Sequence, residues 1–408
     1  MADRILETRC AIAGGGPAGM MLGFLLARAG IDVTVLEKHA DFFRDFRGDT
    51  IHPSTLELMA ELGLLEKFLA LPHQEVRELW AQIGPDRLPL ADFSRIHTRC
   101  KFIALMPQWD FLNFLADEAR AFPNFHLLME TEATGLIEEG GKVVGISATG
   151  PDGPLDIRAP LSVACDGRHS TLREAARLEV EDFGAPMDVL WFRVSRQESD
   201  PADTFGHAEA GRLMVLLNRG DYWQCAYIIR KGSRETLENA GIEKFRADVA
   251  AISPFLAGRM EEIKGWDDVK LLTVKVDRLA RWHRPGLLLI GDAAHAMSPI
   301  GGVGVNLAVQ DAVAAANIVA RPLAGGDAAD SVLAEVERRR EFPTKVVQAM
   351  QTFIQKRLIG ALLDTSKPLH APRVLRLLAG IPALRGIPAR FVGIGVRPEH
   401  IRTGVGHP

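Results

Sequence analysis

The sequence has little cysteine. Its four residues, Cys10, Cys100, Cys165 and Cys225, are scattered over 408 positions with no CxxC pair and no metal-ligand spacing. A disulfide framework and a structural metal site are therefore excluded as organising devices, and reduced thiols in a cytoplasmic protein are the expectation. The opening residues MADRILETRC lack the apolar stretch of a signal peptide. No uninterrupted apolar run reaches the roughly 18 residues of a membrane span. Excess positive charge is also missing: 48 Lys and Arg face 52 Asp and Glu, a net charge of -4, so a nucleic-acid partner lacks its electrostatic footprint. Low complexity and disorder are excluded by a composition that is 47% hydrophobic and 25% charged. At this length, two domains or one large domain with an inserted lobe are expected, with a small neutral or anionic partner.

Glycine is what the sequence has in telling places. CAIAGGGPAGMMLGFLLARAGIDVTVLEK predicts a strand over Cys10–Ala13, a helix over Pro17–Ala29 ended by Gly30, and a strand over Val33–Leu36. Gly14, Gly16 and Gly19 form G-x-G-x-x-G at the first strand-to-helix turn of this βαβ unit. Such glycines allow a tight turn, close approach of a pyrophosphate and packing of helix on strand. The helix N-terminus, with Pro17 and Ala18, then offers N–H groups to the phosphates. Glu37, 18 residues beyond Gly19, stands where an acid binds ribose hydroxyls, with Lys38 beside it. An acid there disfavours a 2′-phosphate, which points to FAD or NAD rather than NADP at this first site.

From Thr131 to Asp166 short strands broken by EEGG and GPDGP predict a meander returning to the strand LSVACDG. Between about Met187 and Val276, the strands DVLWFRV, LMVLL, YWQCAYII and VKLLTVKV flank a polar helical stretch near 234–262, the pattern of an inserted antiparallel lobe. LLLIGDAAHAMSPIGGVGVNLAVQDAVAAANIVA, Leu287–Ala320, starts as a buried strand and ends as a buried helix, with Gly291, Pro299, Gly301, Gly302 and Gly304 between. Asp311 is the only charged residue from Asn306 to Ala320, so that helix should be buried on nearly all sides. The tail from Gln351 to Pro408 is helical in pattern, interrupted by proline, and basic: nine Lys and Arg against Asp364 and Glu399, or +7.

Two later motifs add to the first. VACDGRHSTLR ends a strand with Asp166-Gly167 and continues through Ser170 and Arg173, and LLLIGDAAHAMSP ends another with Gly291-Asp292. Together with G-x-G-x-x-G, and in this order, they resemble the three fingerprints of the flavin-dependent aromatic hydroxylases, the para-hydroxybenzoate hydroxylase family, over residues 8 to about 345. The resemblance implies FAD, with Asp166 and Gly291 in its binding turns and Asp292 at the ribityl chain. It places Pro299 beside the reactive edge of the isoalloxazine, with Gly301, Gly302, Gly304, Val305 and Asn306 holding the ring. Arg47 matches an arginine near the pyrophosphate, and Gln108 a polar residue at the flavin. His169 and Arg173 match positions that help hold a nicotinamide, although an arginine opening a helix is equally a surface residue. His295 reads as structural, and no catalytic acid or base is assigned. Neither this sequence nor the family has a separate nicotinamide domain, so NADH and NADPH are not distinguished.

The implied architecture is an α/β, Rossmann-type FAD-binding domain from 1–75, 100–186 and 273–350. A mostly antiparallel β-sheet substrate lobe spans 76–99 and 187–272, and a C-terminal helical region 351–408. In the lobe Trp191, Arg193, Tyr222 and Gln224 are candidate substrate contacts, and Gln224 stands out as a polar residue in an apolar strand that needs a partner. The tyrosine and arginine that orient hydroxybenzoate have no match, which favours a larger or less polar aromatic. The expected reaction is NAD(P)H- and O2-dependent hydroxylation through a flavin C4a-hydroperoxide. A reductase or dehydrogenase on the same fold and a non-catalytic FAD-binding regulator are the rivals; a halogenase lacks its W-x-W-x-I-P. The tail is expected to cover the domain rather than to contact a membrane. Substrate identity and oligomeric state are not legible.

Overall fold

The computed structural model describes residues 4–43 and 50–406. Arg47 lies outside them. The chain opens with β1 (Cys10–Ala13), α1 (Pro17–Arg28) and β2 (Val33–Leu36), the βαβ unit the spacing predicts. There follow α2 (Pro53–Glu61), β3 (Glu78–Ile83), β4 (Asp86–Asp92), α3 (Gln108–Ala119), β5 (Phe125–Leu128), β6 (Leu161–Ala164) and α4 (Thr171–Ala175). Next come β7 (Met187–Ser195), β8 (Phe205–Glu209), β9 (Arg212–Asn218), β10 (Tyr222–Arg230), α5 (Ile242–Ile252) and β11 (Lys270–Leu272). The last elements are β12 (Leu287–Leu289), α6 (Gly304–Ala324), α7 (Asp330–Ile354), α8 (Arg373–Gly380) and α9 (Gly386–Gly393).

The central sheet has the order β12-β6-β1-β2-β5, all parallel, with His283–Arg284 added antiparallel outside β12. Strands β1, β2, β6 and β12 are buried along their whole length, as expected where both faces of a parallel sheet are covered. Helices α1, α3 and α6 pack together in one apolar core against this sheet. The topology has one consequence for function. Because β12, β6 and β1 are neighbours and parallel, the three glycine-bearing turns that follow them emerge side by side at the carboxyl edge, where open α/β sheets bind ligands.

The meander Glu132–Glu139, Lys142–Gly150 and Gly153–Arg158 forms a separate antiparallel sheet that Ile5–Glu7 joins in parallel. The lobe is a seven-stranded sheet of order β11-β7-β10-β9-β8-β3-β4, antiparallel except where β8 meets β3. One face carries Leu190, Phe192, Met214, Trp223, Cys225 and Tyr227 and is closed by Phe245, Val249 and Ile252 of α5. The other face carries Val189, Trp191, Val215, Ala226 and Ile228 and meets Ile300 together with Ile354, Ile359 and Leu363.

Helix α6 is long and apolar enough to cross a membrane by composition, yet most of it is buried inside the molecule, which makes it the core helix. Beyond α9 the chain runs as a strap over the helices. Arg28 Nη1 donates to Thr403 O, Asn317 Nδ2 to His400 O, and the Ile401 N–H to Glu61 Oε2.

Candidate functional site

The first turn separates the glycines that the chain needs for itself from one that it does not. A Cβ on Gly14 would lie 2.4 Å from Cys165 O, and one on Gly19 would lie 1.9 Å from Gly14 O. Gly14 therefore serves the close approach of the neighbouring strand ends after β1 and β6, and Gly19 the packing of helix on strand. A Cβ on Gly16 would meet nothing within 4 Å. The chain's own packing leaves this position without a reason for glycine, and close approach of a phosphate supplies one. Gly16 is also the N-cap of α1, without a side-chain cap and without an acidic residue in the first turn, so the N–H groups of that turn point to an anion from outside the chain.

The acids around this turn divide by role. Glu37 is buried; Oε2 accepts from the Gly15 N–H and Oε1 from the His39 N–H, both at 3.1 Å. Its carboxylate stands just beyond the end of β2, where the sequence pattern places a ribose-binding acid. Lys38 is exposed and pairs with Glu132 at 3.7 Å. Asp166 serves the chain first: Oδ1 accepts from the Ser170 hydroxyl at 2.5 Å and Oδ2 from the Leu172 N–H at 3.2 Å, capping α4. Burial pushes its carboxyl above the usual range against these bonds. Asp292 is the one residue from Leu287 to Ser298 that is not buried, and it faces Arg168 Nη2 at 3.3 Å. Gly291, just before it, is wedged so that a Cβ would lie 3.2 Å from Ala18 of α1 and 3.3 Å from Ala308 of α6. The two helix N-termini converge on this turn.

Gly301 and Gly302 have φ of 78° and 62°, the left-handed region that side chains avoid. The turn continues into α6, whose N-cap, Val303, provides no side-chain bond, and whose first turn holds no acid. The N–H groups of Gly304, Val305 and Asn306 thus form a second uncapped helix terminus. The Asn306 side chain has a different task from the one the resemblance implied. Its Oδ1 accepts from the His52 N–H at 2.8 Å and the Thr55 hydroxyl at 2.7 Å, and its Nδ2 donates to Thr50 O at 3.0 Å. It staples α6 to α2, and only its backbone is left for a ligand.

Sequence reasoning missed two groups that hold this turn. Buried Asp311 accepts from the Gly291 N–H, from His295 Nε2 at 2.6 Å and from Arg340 Nε at 2.8 Å. Burial opposes its charge, but His295 and Arg340 outweigh that and hold its carboxyl below the usual range. The structural reading of His295 agrees with this placement. Gln348 and Gln351 of α7 and Gln355 just beyond it bond the 296–300 backbone and Ser298 around Pro299. Gln at i, i+3 and i+7 on one helix was the available signal.

In the lobe, the register pairs Trp191 with Ala226, Arg193 with Gln224 and Ser195 with Tyr222. Trp191, Arg193, Tyr222 and Gln224 therefore share the face that meets Ile300. Gln224 is buried, and its Oε1 accepts from Arg219 Nε at 2.9 Å, so its need for a partner is met within the chain. Arg193 is exposed. Gln108 opens α3 and is half-buried. Arg173 turns inward rather than to the surface: Nη2 donates to Arg168 O at 2.6 Å and Nη1 to Ala293 O at 3.4 Å. As placed, it braces α4 against the Asp292 turn, a correction to the alternative of a surface arginine. His169 sits one residue before the Ser170 N-cap. An open cleft of about 500 Å³ lies instead among Gln74, Arg77, Asp92 and Asn218, away from the three motifs. Volume alone does not mark this site; the turns do. Among the described residues no His, Cys, Asp and Glu cluster could hold a metal.

Residues 7–350 match the family model described as FAD binding domain. The chain is 32% identical over 405 residues to the 6-methylpretetramide 4-monooxygenase of Streptomyces rimosus, covering 97% of this chain and 94% of that protein. Among solved structures it resembles PqsL, a probable FAD-dependent monooxygenase from Pseudomonas aeruginosa, with a TM-score of 0.75 at 20% identity over 94% of this chain and 99% of that one. It also resembles the Diels-Alderase PyrE3, with a TM-score of 0.73 at 25% identity over 95% of this chain and 80% of that one.

Proposed function

The chain belongs to the FAD-binding family of flavin-dependent aromatic hydroxylases, and on that premise we propose that it is an FAD-dependent monooxygenase that hydroxylates a large aromatic substrate with NAD(P)H and O2. One oxygen atom would enter the substrate, and the other would leave as water with the two electrons of NAD(P)H. The observation that carries the reading is the convergence of two uncapped helix N-termini, at Gly16 and Val303, on one turn holding a solvent-facing aspartate, Asp292. The residues present fit FAD: Gly16 leaves the approach for a pyrophosphate open, Glu37 presents a carboxylate just beyond β2 for a ribose, and Asp292 faces outward for a polyol.

When bound, FAD supplies the redox and oxygen chemistry that no side chain offers. The chain contributes binding and field. The first turn of α1 holds negative charge at the phosphates. The first turn of α6 favours an anion beside it by ~0.3–2 kcal/mol. The apolar lobe face and Ile300 exclude water and orient a flat substrate. The named substrate of the Streptomyces relative and the lack of a match to the tyrosine and arginine that orient hydroxybenzoate both favour a substrate larger than one phenol ring.

The experiment is turnover in 18O2 with a panel of mono- and polycyclic phenols. The expected result is one labelled oxygen in the product and flavin reduction by NAD(P)H at least ~10-fold faster with the true substrate present, or about 1.4 kcal/mol of barrier. Substrate-stimulated turnover without label would replace this reading with a dehydrogenase. Substrate conversion without NAD(P)H consumption would point to a non-oxidative reaction on the same fold.

A further inference from the structure

Gln348, Gln351 and Gln355 form a ladder of amides along one side of α7 and its continuation, and all three are buried. The first two rungs are complete. Gln348 Nε2 donates to Asp277 O at 2.7 Å and Ala296 O at 3.1 Å, while its Oε1 accepts from Arg278 at 2.9 Å. Gln351 Nε2 donates to Ser298 O at 3.0 Å and Ile300 O at 2.9 Å, straddling Pro299, while its Oε1 accepts from the Ser298 N–H at 3.1 Å. The third rung is half complete. Gln355 Nε2 donates to the Ser298 hydroxyl at 2.5 Å, but its Oε1, fully buried, has no donor among the described residues. A buried acceptor left without a partner is unfavourable, and a donor from outside the chain would relieve it.

Two further observations concern the segment that carries this acceptor. At Gln355–Ile359 the helix widens into a π turn, a distortion that is rare and concentrated at functional sites. Its apolar neighbours Ile354 and Ile359 pack with Ile300, Trp191 and Ala226, joining the tail, the flavin-edge turn and the candidate substrate face of the lobe. The buried acceptor thus stands beside residues that pack on the lobe face carrying Trp191, Arg193, Tyr222 and Gln224.

We propose that Gln355 is a substrate-orienting residue whose amide oxygen accepts a hydrogen bond from a hydroxyl of the aromatic substrate, with Gln348 and Gln351 as positioning residues that fix the turn beneath it. This rests on the hydroxylase reading. It makes the ligand class a hydroxyl-bearing fused-ring aromatic, bound by one donated hydrogen bond within apolar walls.

The test uses FAD-loaded protein titrated with 2-naphthol and with 2-methoxynaphthalene, in which a methyl group replaces the hydroxyl proton, read by perturbation of flavin absorbance. The wild type should bind the naphthol at least ~10-fold more tightly than the ether. Gln355→Met should bring the two within ~2-fold in protein that still folds and carries FAD. Gln355→Asn, with the same chemistry one methylene shorter, should also lose the preference and serves if the Met variant does not fold. A preference that survives in a folded variant overturns the proposal, as does a wild type that favours neither ligand or binds neither. Because binding is read without turnover, label incorporation from 18O2 separates this failure from failure of the hydroxylase reading.

Discussion

His52 shows how a single side chain can carry pH dependence without touching a ligand. It is fully buried behind Asn306, its Nδ1 bonds Val392 O at 2.8 Å, and its Nε2 has no partner among the described residues. Burial pushes its pKa down from 6.5 to about 4, only partly opposed by the bond to Val392. With the folded value below the unfolded one, the unfolded chain takes up the proton first as pH falls. Stability from this group is therefore full above pH 6.5 and declines by about 3 kcal/mol as pH drops towards 4. Urea unfolding across that window should show the loss in the wild type, and His52→Gln should remove this share of the slope. A variant with the wild-type slope would show that His52 titrates normally. Nothing near His52 in sequence announces this; its environment is made by Asn306 and Val392, 254 and 340 positions away.

At the scale of elements, α1 and α6 are legible because periodicity is local: apolar residues at helical spacing and glycines at the preceding turn lie within 20 or so residues. What each glycine does is a packing question, and it yields a contrast. Gly19→Ala should fail to fold or lose several kcal/mol, since its Cβ would sit 1.9 Å from Gly14 O. Gly16→Ala should fold with an unchanged apoprotein melting temperature and bind FAD at least ~10-fold more weakly, about 1.4 kcal/mol. Thermal melts of the apoprotein and a flavin titration decide the pair. Equal losses of stability would show that Gly16 also serves the fold. The lobe was legible in the same local way, as alternating strands. That Trp191, Arg193, Tyr222 and Gln224 share one face follows only from the register of β7 against β10.

Across the whole molecule, Asp311 ties four distant parts together. The turn after β12, helix α6, helix α7 through Arg340, and the C-terminal strap through Glu399, whose Oε1 lies 3.6 Å from Arg340 Nη1, meet in one buried cluster. Removing one charge from such a cluster strands the other, at roughly 3–5 kcal/mol. Asp311→Asn should sit near the lower end, about 3 kcal/mol in chemical unfolding, because Glu399 still faces Arg340 and an amide oxygen can still accept from Gly291. Flavin should also be held more weakly, since the cluster grips the residue before Asp292. Wild-type stability in this variant would show the cluster to be ornamental. The kinship to both monooxygenases and a Diels-Alderase belongs to this scale too: the fold supplies a place for a flavin, while the reaction is decided by what lines the substrate face.

The sequence by itself determined the βαβ unit, the order of the three glycine turns and the alternating strands of the lobe, because each is written in residues close along the chain. Tertiary structure decided how polar side chains are spent. Asn306 and Gln224 looked available to ligands and are bonded within the chain; Arg173, read equally as a nicotinamide contact or a surface residue, is turned inward; Gln348, Gln351 and Gln355, which no motif singles out, grip the turn at Pro299. The physical reason is that a buried polar group must find partners, and those partners come from segments that only folding brings within 3 Å.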